Sequence, residues 1–451
     1  MNINILYFPR PFLALVVSLV VLCSGLWAPA MAEDEPAGLM DVKLAKKPDP
    51  LDTKVEASID YLFEVLRTPG TRFDPAKVRS MLDFVTLTTE PKDIAPARRF
   101  DGLGVCLRQE VKSDLKRILH YFYNPEIPNY LLCPAVLRMS GWHEGSEIVN
   151  LDKGLWDQLD NLAQPVVVRG REFESTTPDS FAEAYYLYDL NRLIILLNYA
   201  GKNVLLSVTE QEDKSDVGRK GAILDDKQWD YFYSGLEGLN RGMIGWMDTF
   251  TYASGSVQVY IEDMNRANTT VFLFKWLRAG WAGMNVVKRS HIYDGTLRYM
   301  RSFSKVVESD VLTPEQVEAG MQEISNFTKP EIDRYIQEYA ANFEARFKDN
   351  PKLEDSDYAK IIADGGYVNV LDDKARLSIL SLEKLKGLLG MDTLVNLPEA
   401  QVAKAPAQAE ESPVGAPADA IVETVVEPAA GGSTGTPETT GMLQVETTPE
   451  S

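Results

Sequence analysis

Apolar residues recur along this chain with two periods, and the period sets the element each stretch predicts. In residues 52–70, Val55, Ile59, Leu62, Phe63 and Leu66 fall on one helical face, and Pro69-Gly70 ends the run. Residues 113–125 repeat the pattern with Leu115, Ile118, Leu119 and Phe122, and Pro125 stops it. Further on, Thr313-Pro314-Glu315-Gln316 and Thr328-Lys329-Pro330-Glu331 are capping boxes that open two helices. The second carries a stripe of Ile332, Tyr335, Ile336, Tyr339, Phe343 and Phe347, and the helix predicted after residue 380 ends at Gly390.

Between these helical ends the period changes. Residues 165–170 read as a short buried strand, and residues 203–211 and 229–234 as two more. Val257, Val259 and Ile261 alternate with Gln258, Tyr260 and Glu262, which predicts a hairpin over 246–262 turning at Ala253-Ser254-Gly255-Ser256. Two long apolar stretches read as helices. One opens at Thr177-Pro178, with proline at the first helical position, and runs to Gly201. The other spans 269–289, where Lys275, Arg278, Asn285 and Arg289 form a narrow polar stripe and Ala279, Gly280, Ala282 and Gly283 permit close backbone approach. A helix so widely apolar predicts a core element, or the wall of an apolar pocket between it and the sheet.

The fold class expected is therefore α+β and helix-rich. A central antiparallel sheet of about four strands is flanked by helices, with helical N- and C-terminal regions. The layout of long helix, antiparallel meander and returning helix resembles that of helix-grip ligand binders, with fewer strands. By segment, residues 1–32 read as a signal peptide, 33–52 as a linker, 53–160 as a mainly helical region, 161–310 as the α+β core and 311–397 as a helical region. Residues 398–451 are rich in Pro, Ala, Thr and Glu with almost no aromatic residue, a composition that predicts a disordered tail.

The N-terminus changes the picture from fold to location. Phe12–Trp27 is almost wholly apolar, and Ala30-Met31-Ala32 supplies small residues before an acidic run. The apolar run falls short of the roughly 20 residues that span a bilayer. The expectation is export to the periplasm or beyond, with cleavage after Ala32. A retained anchor and lipid attachment at Cys23 are the alternatives, and Leu22 is large for the latter. No later segment reads as a transmembrane span. Cleavage leaves Cys106 and Cys133, either a disulfide or two buried thiols. The formal charge is -20, the wrong sign for nucleic acid.

Candidate chemistry is sparse. The three histidines, His120, His143 and His291, have no ligand spacing, so no His-rich metal site and no cofactor are expected, and a carboxylate metal site is the alternative left open. His143 beside Glu144, in a glycine-flanked loop, is the one acid–base candidate. Three Ser-x-x-Lys pairs lack the companion motifs of the enzymes that use them. The stretch Ser215–Gly221 has glycines and cations but no Ser or Thr after Lys220, so it is not a nucleotide-binding loop. It reads first as a solvated turn. As a ligand contact it would use Lys214, Ser215, Arg219 and Lys220, with Trp229 and Tyr231 from the aromatic run that follows. The function expected is an exported cell-envelope protein, non-catalytic, binding a lipid or other apolar or aromatic molecule, or an envelope partner. A periplasmic hydrolase using carboxylates with His143, and a structural envelope protein, are the alternatives.

Overall fold

The computed structural model describes residues 43–240, 246–263, 265–354 and 356–398. The expected signal peptide, most of the linker and the acidic tail from Glu399 lie outside the described residues. Within them the chain is α+β, with nine α-helices, one seven-stranded antiparallel sheet and smaller sheets beside it.

Helix α1 (Thr53–Arg67) forms where its stripe predicts it, with Asp52 capping the Lys54 amide at 2.8 Å. Helix α2 (Arg79–Leu87) packs beside it. Strand β1 (Leu103–Val111) and helix α3 (Leu115–Phe122) follow, then strand β2 (Leu137–Trp142), the single turn α4 (Leu155–Gln158) and strand β3 (Val166–Thr176). The short β4 (Ala184–Tyr185) leads to β5 (Leu187–Tyr199) and β6 (Lys202–Gln211). Strands β7 (Arg219–Asp225) and β8 (Asp230–Glu237) precede the long pair β9 (Thr249–Asp263) and β10 (Asn268–Trp281). Helix α5 (Arg289–Val307) then crosses back, and α6 (Pro314–Ser325), α7 (Lys329–Phe347), α8 (Ser356–Ile362) and α9 (Asp373–Leu388) complete the chain. Both Thr capping boxes are present, at the starts of α6 and α7.

The large sheet runs β1-β10-β9-β6-β5-β3-β2, so the first strand closes against the last. Its two faces are both covered. Leu193, Ile195, Val208, Val257, Phe272 and Phe274 pack against α1 and α2. Leu196, Leu205, Tyr260, Val271 and Leu273 face α3 and α5. The small sheet, ordered β8-β7-β4, shares a core with α7, the 3-10 segment Ala363–Val370 and α9 through Phe232, Phe343, Tyr367 and Leu380.

The seven strands overturn the expected four, and two segments account for the difference. Residues 178–201 and 269–289, read as helices, supply β5 and β10. A strand buried on both faces has apolar residues at odd and even positions alike, which removes the period of two and imitates a broad helical face. Along β5, Leu193, Ile195 and Leu197 point to one face and Ile194 and Leu196 to the other. Gly201, read as a helix stop, instead forms a two-residue hairpin turn with Ala200; both have positive φ, at 77° and 52°. The hairpin expected at 253–256 is also absent. Strand β9 runs straight through it with a bulge between Thr251 and Ala253, and Gly255 lies under Phe100. Strands β1 and β2 fall in the region read as mainly helical. Helix α5 packs across the seven-stranded sheet, which is built from other segments than those expected.

Cys106 and Cys133 are free thiols, buried on opposite faces of the sheet.

Candidate functional site

One face of the large sheet is polar at its centre. Strand alternation places Ser254, Ser256 and Gln258 of β9, Thr209 of β6, Arg192 of β5 and Lys275 of β10 on the side that faces α5. Cross-strand pairing makes them neighbours: Lys275 pairs with Ser256, Ser256 with Thr209, and Thr209 with Arg192. The polar belt is hydrogen-bonded within itself. Thr209 and Ser256 share a 2.6 Å hydroxyl contact, and Gln258 Oε1 accepts from the hydroxyls of Tyr260 at 2.5 Å and Tyr299 at 3.2 Å. Such pairing is what lets polar groups persist inside a sheet face.

At one end of the belt sits a buried ionic cluster. Arg192 Nε donates to Glu172 Oε1 at 3.0 Å, its Nη1 to Ser207 at 3.0 Å, and Asn129 donates to the other Glu172 oxygen. Glu174 lies 3.6 Å from Arg192 and accepts from the Tyr188 hydroxyl at 3.1 Å. Burial pushes the Glu172 carboxyl up to about 7, with Arg192 opposing the rise and Glu174 adding to it. Burial likewise pulls the Lys275 ammonium down, against the attraction of Glu174.

Above this floor a cavity of about 280 Å³ opens between the sheet and α5. Its roof and walls are largely apolar, with Leu277 and Ala279 from β10, Val286 and Val287 from the turn after it, and Ile292 from α5. Gly295 of α5 also lines it, and a Cβ placed there meets nothing within 4 Å. Near the rim Phe181, two-fifths exposed, stacks on His291 at 4.2 Å, and Asp179 folds its loop by accepting from the amides of Phe181 and Ala182.

The residues singled out from sequence lie elsewhere. Lys214 sits 4.2 Å from the Phe250 ring, and Ser215 is stitched to Thr251 by two 2.9 Å hydrogen bonds. Arg219 pairs with Glu237 at 3.2 Å, and Lys220 approaches Asp357 at 4.0 Å, both from β7 in the small sheet. Trp229 is buried with φ 59°, and the buried Tyr231 donates to Asp226 at 2.8 Å. The structure therefore distributes these six over the small sheet and its approach, and none lines the cavity. His143 Nε2 is bonded to Asp189 at 2.8 Å beside Arg171, while Glu144 is exposed. His120 stacks on Trp156 at 4.3 Å. Among the described residues, no group of three or more His, Cys, Asp or Glu gathers as a metal site, and no helix is long and apolar enough to cross a membrane.

Sequence reasoning missed Arg192, Lys275, Glu174 and Gln258. The alternation of Gln258 and Tyr260 with Val257 and Val259 was legible, but polar positions on a strand ordinarily face water. Here they face inward.

Compared with known proteins, the chain matches no family model and no curated relative. Its functional reading rests on the site alone.

Proposed function

We propose that this protein is a non-catalytic, exported envelope protein that holds a small amphipathic molecule between its large sheet and α5. The observation that carries the reading is the cavity of about 280 Å³, apolar in its walls and polar along its floor. Its size is near the lower end of ligand pockets, which run from about 300 to 1,000 Å³. A mixed lining of this kind supports a ligand with an apolar body and a polar end. The export half of the reading is supported by the apolar run at 12–27 and the small residues at Ala30 and Ala32.

Gly295 adds a second support. Glycine inside a helix costs about 1 kcal/mol relative to alanine. Nothing packs against this one closely enough to require it, and the space it leaves open belongs to the cavity.

The test is uptake of the neutral fluorophore N-phenyl-1-naphthylamine by the purified full chain. The wild type should bind it with a blue-shifted, saturable signal. Gly295→Phe, which projects a ring into the open space, should weaken binding at least tenfold with an unchanged far-UV circular dichroism spectrum. A wild type that shows no uptake, or a Gly295→Phe variant that binds as well as wild type, would contradict the cavity reading.

A further inference from the structure

We infer that the ligand carries an acid group and that Lys275 is the cation that receives it; the inference rests on the cavity reading above. Buried cations elsewhere in the fold sit beside carboxylates, Lys220 with Asp357 at 4.0 Å among them. Arg192 is paired with Glu172, Arg298 with Asp226 at 2.7 Å, Lys384 with Glu323 at 2.7 Å, and Lys386 with both Asp230 and Glu383 at 2.9 and 2.7 Å. Removing a cation from water is costly unless a carboxylate accompanies it, and the fold obeys that rule at each of these positions.

Lys275, part-buried at the cavity, departs from it. Its Nζ donates to the Ser254 hydroxyl at 2.7 Å, and no carboxylate among the described residues pairs with it. Glu174 attracts it, but that carboxylate is committed to the Tyr188 hydroxyl and Arg192. An ammonium has three donors, so two remain for a guest. Lys275 also lines the cavity, so the unspent donors belong to the wall that a ligand would touch.

Glu174, which also lines the cavity, opposes a second anion, while the hydroxyls on the β9 side of Lys275 can receive one. Ser256 stands opposite Lys275 in the β9–β10 pairing, and its hydroxyl shares one hydrogen bond with Thr209. Two hydroxyls sharing one bond leave a second proton to donate. A carboxylate or sulfonate placed there would gain a charge-assisted bond from Lys275 and a neutral one from the hydroxyl pair. The apolar body would then lie along Leu273, Leu277 and Ile292 toward the rim at Phe181. The inferred ligand class is thus an amphipathic organic acid.

The experiment compares decanoate with decan-1-ol, which share a chain and differ in charge, as displacers of N-phenyl-1-naphthylamine from the full chain at neutral pH. Decanoate should displace at least tenfold better from wild type. Lys275→Met should abolish that preference while still binding the fluorophore, and Lys275→Arg, which keeps the charge, should retain it. Equal displacement from wild type, or a preference that survives Lys275→Met, would overturn the acid-group inference and leave the cavity reading standing. Failure of the fluorophore to enter any of the three proteins would instead remove the cavity reading, and this inference with it. The wild-type comparison decides the matter even if a variant does not fold.

Discussion

Leu193, Ile195, Val257 and Phe274 lie on one face of the large sheet; Arg192, Ser256, Gln258 and Lys275 lie on the other. Only the thickness of a backbone separates them, and the same three strands supply both sets. The first face is sealed by α1 and α2 with close apolar packing and aromatic contacts such as Phe272 with Phe274 at 4.8 Å. The second is roofed by α5 over a void and floored by hydrogen-bonded and charged groups. Dispersion and the removal of apolar area from water hold the first face, at about 1.5–3 kcal/mol for each large side chain fully buried. On the second face the ionic floor adds little net stability, since buried ion pairs roughly offset their own desolvation, and the packing of Leu196, Leu205, Val271 and Leu273 against α3 and α5 supplies the rest. The second face adds a polar floor and a cavity to its apolar packing, the features on which the ligand-binding proposal rests.

That contrast can be broken at its ionic end first. Arg192→Met leaves Glu172 buried without its cation and should cost about 3–5 kcal/mol in urea denaturation. Adding Glu172→Met should restore most of that loss, because the pair is worth little against apolar groups of like size. A double variant as unstable as the single one would show that the cluster holds the fold together.

The next effect depends on pH. Glu172 has its pKa raised in the folded protein, to about 7 from an ordinary 4.5. The folded state therefore binds the proton more tightly than the unfolded state across that window. Its contribution is most favourable below about 4.5 and is lost as pH rises through about 7. The total is roughly 3 kcal/mol at most. Compared with wild type, Glu172→Gln should flatten the stability profile between those limits, read from urea midpoints at a series of pH values. An identical slope in both proteins would place the titration elsewhere.

On the sealed face a conservative change should be small and blind to conditions. Ile195→Val removes one buried methylene and should cost about 0.5–1.5 kcal/mol, the same at every pH and with or without bound fluorophore. Dependence on either would mean that the two faces are coupled.

Much of the periphery of this fold was legible in the sequence, and its centre was not. Amphipathic helices with caps, such as α1 and α7, announce themselves because one face meets water and the other does not. The central stretches of β5 and β10 meet water on neither face, so their runs of Leu, Ile, Val and Phe carried no period to read. Proline at 178 and glycine at 201 then supplied false helix ends, where the fold uses a loop and a two-residue hairpin. The candidate site failed to show for the same reason. Lys275 was visible as a polar position, but with a helical period it joined a stripe with Arg278 and Asn285. Only strand geometry puts it in line with Ser256, Thr209 and Arg192. The cluster at 214–221 drew attention by its composition, and its side chains are engaged by local partners such as Phe250, Thr251 and Glu237.

The most direct test of the central claim is native mass spectrometry of the full chain purified without detergent from the cells that make it, followed by organic extraction of the bound material. One equivalent of an amphipathic acid should be recovered from wild type and none from Gly295→Phe prepared in the same way. A wild-type protein that carries no ligand from its own cells, and takes up neither fluorophore nor decanoate when they are offered, would contradict the claim.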